Sequence, residues 1–285
     1  MTYAETNRRE GPMLDNRGSV RSKRGRRFTR HGHKPAPRAP LSPFGEARVS
    51  VVIPTLNEAA NLPHVFARLP HGLHEVVIVD GRSVDDTVAV AKALRPDVRI
   101  VLEKRPGKGI ALAAGFAAAE GDIIVMLDAD GSTDPAEIPR YVMPLLQGAD
   151  FVKGSRFMPG GGTDDITPIR KLGNSALNGT VNKLYGTRYT DLCYGYNAFW
   201  NHCLPVLEMG DDHGFEIETV INVRIARAGL RVVEVPSVER ERLFGESKLS
   251  PVRDGLRVLR TIGVERVARS QRTRVSSGLR RLGLS

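Results

Sequence analysis

Residues 121–131 read Gly-Asp-Ile-Ile-Val-Met-Leu-Asp-Ala-Asp-Gly, and the fold prediction starts from them. Ile123 to Leu127 form a short apolar run between two glycines, which predicts a buried strand of a parallel sheet. Asp128 and Asp130 follow two residues apart, so in an extended chain both carboxylates point the same way. Paired oxygen ligands at the carboxyl end of a strand suit Mg²⁺ or Mn²⁺. A loop with two solvated acids is the alternative.

Strand and helix patterns alternate on both sides of this stretch. The predicted strands are Val49–Ile53, Val76–Val79, Val98–Leu102, Ile123–Leu127, Asp150–Gly154 and Arg231–Val235. The predicted helices run from about Glu58 to Leu69 with Asn57 as the cap, from Ser83 or Asp85 to Leu94, and over residues 107–120, 135–146, 169–185 and 215–228. This alternation predicts an α/β fold, a Rossmann-like and mostly parallel sheet with helices on both faces.

The ends of the 285-residue chain are basic and its middle is nearly neutral. Residues 1–46 carry eleven Lys/Arg against four Asp/Glu, and residues 265–285 carry six Arg against one Glu. We expect residues 1–46 to be a disordered basic tail, residues 47–250 to form the catalytic domain, and residues 251–285 to form a basic amphipathic helix and tail. Basic ends suit an anionic surface such as a membrane, or serve only solubility.

The helix predicted from Pro251 has an amphipathic pattern. Its apolar residues are Val252, Leu256, Leu259 and Val267, and its cationic residues are Arg253, Arg257, Arg260, Arg266 and Arg269. The helix either lies on an anionic bilayer or packs on the core with a solvated basic face. No run of apolar residues is long enough to cross a membrane and no secretory signal is present, so we expect a cytoplasmic protein with Cys193 and Cys203 reduced.

Polar residues at the ends of the predicted strands form a candidate nucleotide site. Pro54, Asn57 and Glu58 close the first strand, Asp80 and Ser83 follow the second, and Lys108 lies between two glycines at a helix start. Ligands of open α/β sheets bind at such strand ends. A carboxylate there accepts hydrogen bonds from a nucleobase or ribose, and a lysine at a helix start meets a phosphate. Each residue also has a purely structural explanation, as a helix cap or a loop residue.

Eight sequence blocks resemble a known enzyme family. They are VVIPTLNE (51–58), VVIVDGRSVDDT (76–87), GKG (107–109), LDADGS (127–132), KGSRF (153–157), DLCYGY (191–196), GFEIE (214–218) and GESKL (245–249). In order and spacing they resemble the inverting family 2 glycosyltransferases of GT-A fold. Within that family, they resemble the dolichyl- or polyprenyl-phosphate mannosyltransferases.

The resemblance implies roles for individual residues. The catalytic residues would be Asp130, Arg156 and Arg242, and Asp128 and Asp130 would hold Mg²⁺ or Mn²⁺. The nucleotide sugar would be bound by Pro54, Asn57, Glu58, Asp80, Ser83, Lys108 and Asp128. The acceptor phosphate would be bound by Arg156, Arg170, Asn174, Ser175, Arg242 and Lys248. Bidentate arginines and point-charge lysines suit the several phosphates of such a cleft. Asn174 departs from the pattern, because the group often has Ser there.

The predicted function is metal-dependent transfer of a sugar, with inversion, from GDP-mannose or a UDP-sugar to a polyprenyl or dolichyl phosphate. Such an enzyme would work as a peripheral protein on the cytosolic face of a membrane, with a separate membrane protein as a further partner. One alternative is a hydroxyl acceptor, which needs a general base such as Asp191, Glu216 or Glu218. Another is a non-catalytic membrane or nucleic-acid adaptor. A specific nucleic-acid partner is not expected, because few aromatic residues accompany the arginines.

Overall fold

The computed structural model describes residues 42–164, 166–209, 216–245 and 255–267. Most of the predicted basic tail and Lys248 therefore lie outside the described residues. Phe44 is fully buried in the core, although it precedes residue 47, the predicted start of the folded domain.

The main sheet has seven strands in the order β3-β2-β1-β4-β7-β5-β8. The strands in chain order are β1 Val49–Thr55, β2 Glu75–Asp80, β3 Arg99–Leu102, β4 Ile123–Met126, β5 Phe151–Ser155, β6 Gly162–Thr163, β7 Asn197–Trp200, β8 Val232–Pro236 and β9 Val238–Glu239. β6 and β9 form a separate parallel pair. The mostly parallel sheet of the prediction is confirmed. However, β7 was not predicted, and it runs antiparallel to both β4 and β5.

In the part of the chain that the structure describes, seven helices connect the strands, and an eighth follows the last strand. They are α1 Leu62–Phe66, α2 Thr87–Leu94, α3 Lys108–Ala118, α4 Ile138–Leu146, α5 Pro168–Tyr185, α6 Leu204–Leu207 and α7 Ile217–Arg227. Residues 255–267 are also helical and are called α8. α5 begins where the sequence indicates, because Thr167 accepts a hydrogen bond from the Arg170 amide and Pro168 occupies the first turn. Within the described ranges, no helix is long and apolar enough to cross a bilayer.

The predicted start of the first helix, near Glu58, is wrong. α1 begins at Leu62, and Asn57 is not its cap but a left-handed residue with φ of 60°. The Asn57 side chain accepts a hydrogen bond from the Val84 amide at 2.8 Å, so it joins the loop after β1 to the loop after β2. Asparagine tolerates this backbone conformation better than most residues.

The sheet is covered on both faces, and α3 makes a close approach to it. Alternate residues of β1 and β2 enter two separate apolar clusters, one on each face. Gly115 allows α3 to lie against the sheet, because a Cβ atom there would overlap the side chains of Val52 and Val79. This packing places the start of α3, and therefore Lys108, at the carboxyl end of the central strands.

Candidate active site

The two central carboxylates are each paired with a cation. Asp128 Oδ1 lies 2.6 Å from Lys108 Nζ, and Asp130 Oδ2 lies 3.0 Å from Arg242 Nη2. Asp130 also accepts hydrogen bonds from the amide and the hydroxyl of Ser132 through its other oxygen. The structure thus brings four of the predicted site residues together beyond the end of β4, in two ion pairs.

Lys108 is shared between two carboxylates. Its Nζ lies 2.7 Å from Glu218 Oε1 on α7, in addition to the contact with Asp128. Burial alone would lower the pKa of Lys108, but the two carboxylates together raise it above its ordinary value. A Cβ atom at Gly195 would lie within 3.3 Å of all three groups, so this glycine leaves the room that the cluster occupies.

Arg242 connects the segment after β9 to the nucleotide side of the cleft. Its Nη1 lies 3.4 Å from Glu58 Oε1, and Asn61 donates to the other oxygen of Glu58. Burial raises the pKa of Glu58, and this effect outweighs the contacts with Asn61 and Arg242. The Phe244 amide donates to Asn61 at 3.1 Å, which fixes the chain that carries Arg242 over the cleft.

The predicted nucleotide residues occupy two loops that hydrogen-bond to each other. The Asn57 amide donates to Ser83 Oγ at 2.9 Å, and the Ser83 amide donates to Asp80 Oδ2 at 3.1 Å. Pro54, near the end of β1, pairs in register with Val79 of β2. Asp80 is 5% exposed, and its Oδ1 has no hydrogen-bond partner among the described residues. Such an unpaired buried oxygen fits a donor group from a ligand.

Arg156, which directly follows β5, is the centre of what we call the acceptor network, after the role predicted for it: Arg156, Asp191, Glu239 and Asn174. Arg156 donates to both oxygens of Asp191, at 2.7 and 2.9 Å, and to Glu239 at 2.8 Å. Asn174 donates to Asp191 at 3.0 Å. Burial opposes the charge, but the carboxylates raise the pKa of Arg156. Its guanidinium is therefore held in place by three strong hydrogen bonds.

The remaining predicted acceptor residues lie near the start of α5. Arg170 is in the first turn, Asn174 is buried in the acceptor network and Ser175 is exposed. Two neighbouring apolar residues of this helix, Ile169 and Leu172, are 63% and 72% exposed. The roles predicted for Arg156, Arg170, Asn174 and Ser175 stay predictions.

Sequence reasoning missed a ladder of asparagines on α5. Asn174, Asn178 and Asn182 lie four residues apart and therefore share one face of the helix. Asn174 accepts from the Cys193 amide, Asn178 accepts from the Leu192 amide, and Asn182 accepts from the Tyr189 amide. The ladder fixes the loop before β7 that carries Asp191. The signal was present in the sequence as three asparagines at helical spacing.

The aspartate pair fits a divalent cation in its chemistry but not as a complete ligand set. Both side chains offer hard oxygen ligands, and both are partly exposed, at 33% and 15%. Among the described residues, no group of three or more His, Cys, Asp or Glu side chains is arranged to hold a metal. A cation held by Asp128 and Asp130 would therefore need further ligands from a bound molecule or from water.

Comparison with known proteins defines the class. Residues 50–202, slightly more than half of the chain, match the description "Glycosyl transferase family 2". The chain belongs to this family, and it is a glycosyltransferase of GT-A fold. The family resemblance stated from the sequence blocks is therefore confirmed.

Two curated relatives and one crystal structure illustrate this membership. The chain is 36% identical to the polyprenol monophosphomannose synthase of Mycolicibacterium smegmatis, over 71% of this chain and 81% of the relative. It is 35% identical to the undecaprenyl-phosphate mannosyltransferase of Micrococcus luteus, over 71% and 88%. The glucosyl-3-phosphoglycerate synthase of Mycobacterium tuberculosis, crystallised with Mn²⁺, UDP and glucosyl-3-phosphoglycerate, superposes with a TM-score of 0.61 at 25% identity. That match covers 78% of this chain and 80% of the synthase.

Proposed function

We propose that this glycosyltransferase transfers a sugar, with inversion, from a nucleotide-sugar donor to the phosphate of a polyprenyl or dolichyl phosphate. The observation that carries the proposal is the pairing of Asp128 and Asp130 with Lys108 and Arg242. Glu218 and Glu58 contact the same two cations, so the cluster holds four carboxylates against two cations. A nucleoside diphosphate with a divalent cation would bring the same two kinds of charge, so it can replace the internal pairs without leaving a buried charge uncompensated.

The nucleotide part of the donor is assigned to the loops after β1 and β2. The unpaired oxygen of Asp80 suits a hydrogen-bond donor on the nucleobase or ribose. Lys108, at the start of α3, can turn from Asp128 to the diphosphate, because Glu218 remains beside it as a second counterion. The relatives named for mannose transfer make GDP-mannose the first donor to test, and a UDP-sugar the second.

A metal-ion cofactor, Mg²⁺ or Mn²⁺, is assigned to Asp128 and Asp130, which offer the oxygen ligands that such ions prefer. When bound there, it would supply charge neutralisation for the departing diphosphate. The Mn²⁺ in the crystal structure of the phosphoglycerate synthase supports this assignment.

The lipid phosphate is assigned to the side of the cleft that contains Arg156 and Arg170. Ile169 and Leu172 expose apolar surface in the same helical turn as Arg170, and this combination suits a phosphate on a hydrocarbon chain better than a saccharide. The relatives named for polyprenol and undecaprenyl phosphate support the same acceptor class. The enzyme would then act as a peripheral protein at the cytosolic face of a membrane, and a separate membrane protein stays a predicted partner.

The proposed reaction is one in-line displacement. An oxygen of the acceptor phosphate forms a bond to the anomeric carbon, the bond from that carbon to the diphosphate oxygen breaks, and the nucleoside diphosphate leaves. A phosphate monoester is largely ionised at pH 7, so this acceptor needs no general base. Two base candidates for a hydroxyl acceptor, Asp191 and Glu218, are already ion-paired with Arg156 and Lys108.

The test is a transfer assay with the purified full chain. Donors would be GDP-mannose and UDP-sugars, acceptors would be undecaprenyl phosphate and a free saccharide, and Mg²⁺ or Mn²⁺ would be added or removed by chelation. We expect transfer to the lipid phosphate, with inversion seen by NMR of the product. Transfer to the saccharide alone would overturn the proposal in favour of the hydroxyl-acceptor alternative.

A pair of matched variants links the assay to the site. Asp130→Asn should lower turnover about a hundred- to a thousandfold, the usual effect of removing one electrostatic group from a reaction centre. The control is Asp122→Asn at the opposite end of β4, where a partly exposed carboxylate accepts hydrogen bonds from the side chain and the backbone amide of Arg48. The control should keep its activity within about twofold. Equal activity of both variants would remove Asp130 from the proposed mechanism.

A further inference from the structure

α8 carries apolar residues on two sides, and among the described residues only one of these sides is buried. Val258 and Ile262 are buried in a cluster with residues of α5 and α7. Of the residues predicted to form the apolar face, Leu256, Leu259 and Val267 are exposed, and Val252 lies outside the described residues. Leu256 lies on the opposite side of the helix and Leu259 at its margin, so the two interpretations offered by the sequence do not exclude each other.

The inner face of α8 is fixed by polar contacts as well as by packing. Glu265 is 6% exposed and lies 2.7 Å from Arg224 and 2.5 Å from Arg227, both on α7. Tyr185 at the end of α5 donates to the Ile262 carbonyl at 3.1 Å. These contacts fix which side of α8 faces outward.

The outward face carries four large apolar side chains. Leu256, Leu259, Val264 and Val267 are 63%, 47%, 58% and 58% exposed. At 100° per residue, Leu256, Val264 and Val267 fall on the half of the helix that faces away from Val258 and Ile262, and Leu259 lies at the margin of that half. A stripe of this kind on a helix held rigidly from behind indicates an apolar partner.

The charges around this stripe are positive. Arg260 lies within the outward face and is exposed, and Arg266 lies at its margin, with one guanidinium nitrogen bonded to the Leu184 carbonyl. The one acidic residue of α8, Glu265, is on the inner face and ion-paired. The sequence after α8, residues 268–285, adds five arginines and no acidic residue. The partner should therefore be both apolar and anionic.

We propose that the outward face of α8 lies in the headgroup region of an anionic lipid bilayer and docks the enzyme there. Apolar side chains enter the boundary between headgroups and acyl chains, while arginines pair with lipid phosphates. The inference adds to the proposed function and is independent of catalysis. α5 connects the two regions, because Asn174 in the acceptor network and Tyr185 beside α8 lie about 16 Å apart along one helix.

The experiment is co-sedimentation of the full chain with vesicles that contain neither donor nor polyprenyl phosphate. Vesicles of phosphatidylcholine alone are compared with vesicles that contain about a third phosphatidylglycerol. We expect binding to the anionic vesicles only. The double variant Leu256→Gln/Leu259→Gln should lower the partition coefficient at least about tenfold, because each leucine loses apolar area that the bilayer would bury.

The matched control is Leu94→Gln/Leu146→Gln, which removes two leucines of similar exposure, 44% and 40%, from the ends of α2 and α4. It should bind anionic vesicles like the unaltered protein. Equal partitioning of the two double variants would overturn the proposal, and so would a dimer, seen by light scattering, that only the α8 variant dissociates. Because the vesicles contain no substrate, failure here is distinguishable from failure of the proposed sugar transfer.

Discussion

The loops proposed to bind the donor and the network proposed to bind the acceptor, which we call the donor side and the acceptor side, are built in different ways. On the donor side, the loops after β1 and β2 bond to each other through short polar side chains, and Asp80 keeps an unpaired oxygen. On the acceptor side, the buried Arg156 is bonded to carboxylates 35 and 83 residues away in the sequence. The donor side thus presents polar groups to a ligand, while the acceptor side satisfies its polar groups internally.

This difference has an energetic consequence. An unpaired polar group in a cleft costs stability and contributes to ligand binding, whereas a fully paired buried network contributes to the fold. Substitutions on the acceptor side should therefore damage stability together with function. Substitutions on the donor side should damage donor binding alone.

The largest effect is expected at Asp191. Asp191→Asn leaves the buried guanidinium of Arg156 without its bidentate partner, and breaking a buried ion pair in this way costs about 3–5 kcal/mol of unfolding free energy. Urea denaturation followed by circular dichroism measures the loss. The control is Asp97→Asn, where a 68% exposed carboxylate pairs with Arg95 and the expected loss is below about 1 kcal/mol. Equal losses in both variants would break the comparison between the two sides.

A smaller, pH-dependent effect is expected at Lys153, which lies fully buried on β5 and donates to the Tyr194 carbonyl. Burial lowers the pKa of Lys153, and this effect outweighs the attraction of Asp191 and Glu234. At pH values between the lowered pKa of Lys153 and the ordinary value of 10.5, the unfolded chain binds more protons than the folded protein. The destabilisation caused by burying Lys153 therefore decreases as the pH rises. Lys153→Met should therefore stabilise the protein by about 1–2 kcal/mol at pH 7.

The measured quantity is the difference in unfolding free energy between Lys153→Met and the unaltered protein. The contributions of other titrating groups cancel in this difference. Denaturation at pH 7 and at pH 10 should show the gain shrinking towards the higher pH. A loss of stability that is the same at both values would mean that the hydrogen bond to Tyr194, rather than the buried charge, dominates at this position.

The sequence predicted some strands of the sheet more accurately than others. The parallel strands from β1 to β4 were predicted to within about two residues, because each is a local apolar run followed by polar residues. The strand β7 was not predicted, because the sequence that contains it, Gly-Tyr-Asn-Ala-Phe-Trp, does not have this pattern. Its antiparallel pairing is decided by its contacts with β4 and β5. Tertiary context commonly overrides local preference in strands.

The candidate site shows the same limit. Asp128, Asp130 and Lys108 were identified because each lies at the end of a strand or the start of a helix. Their pairing could not be predicted, because Glu218 and Arg242 reach them from distant parts of the chain. The packed face of α8 was mistaken for the same reason. Leu256, Val258 and Ile262 are all apolar, and only the positions of α5 and α7 decide that Val258 and Ile262 are the residues that pack.

The smallest and most selective effect is expected at Asp80. Asp80→Asn changes the oxygen that has no partner among the described residues, while an amide oxygen can still accept from the Ser83 amide. The midpoint of thermal unfolding should not fall, since no internal hydrogen bond must be lost. The KM for the nucleotide sugar should rise about tenfold, equivalent to about 1.4 kcal/mol, with kcat little changed. A fall in stability with no change in KM would place Asp80 with the internally satisfied residues, and the donor side would then resemble the acceptor side.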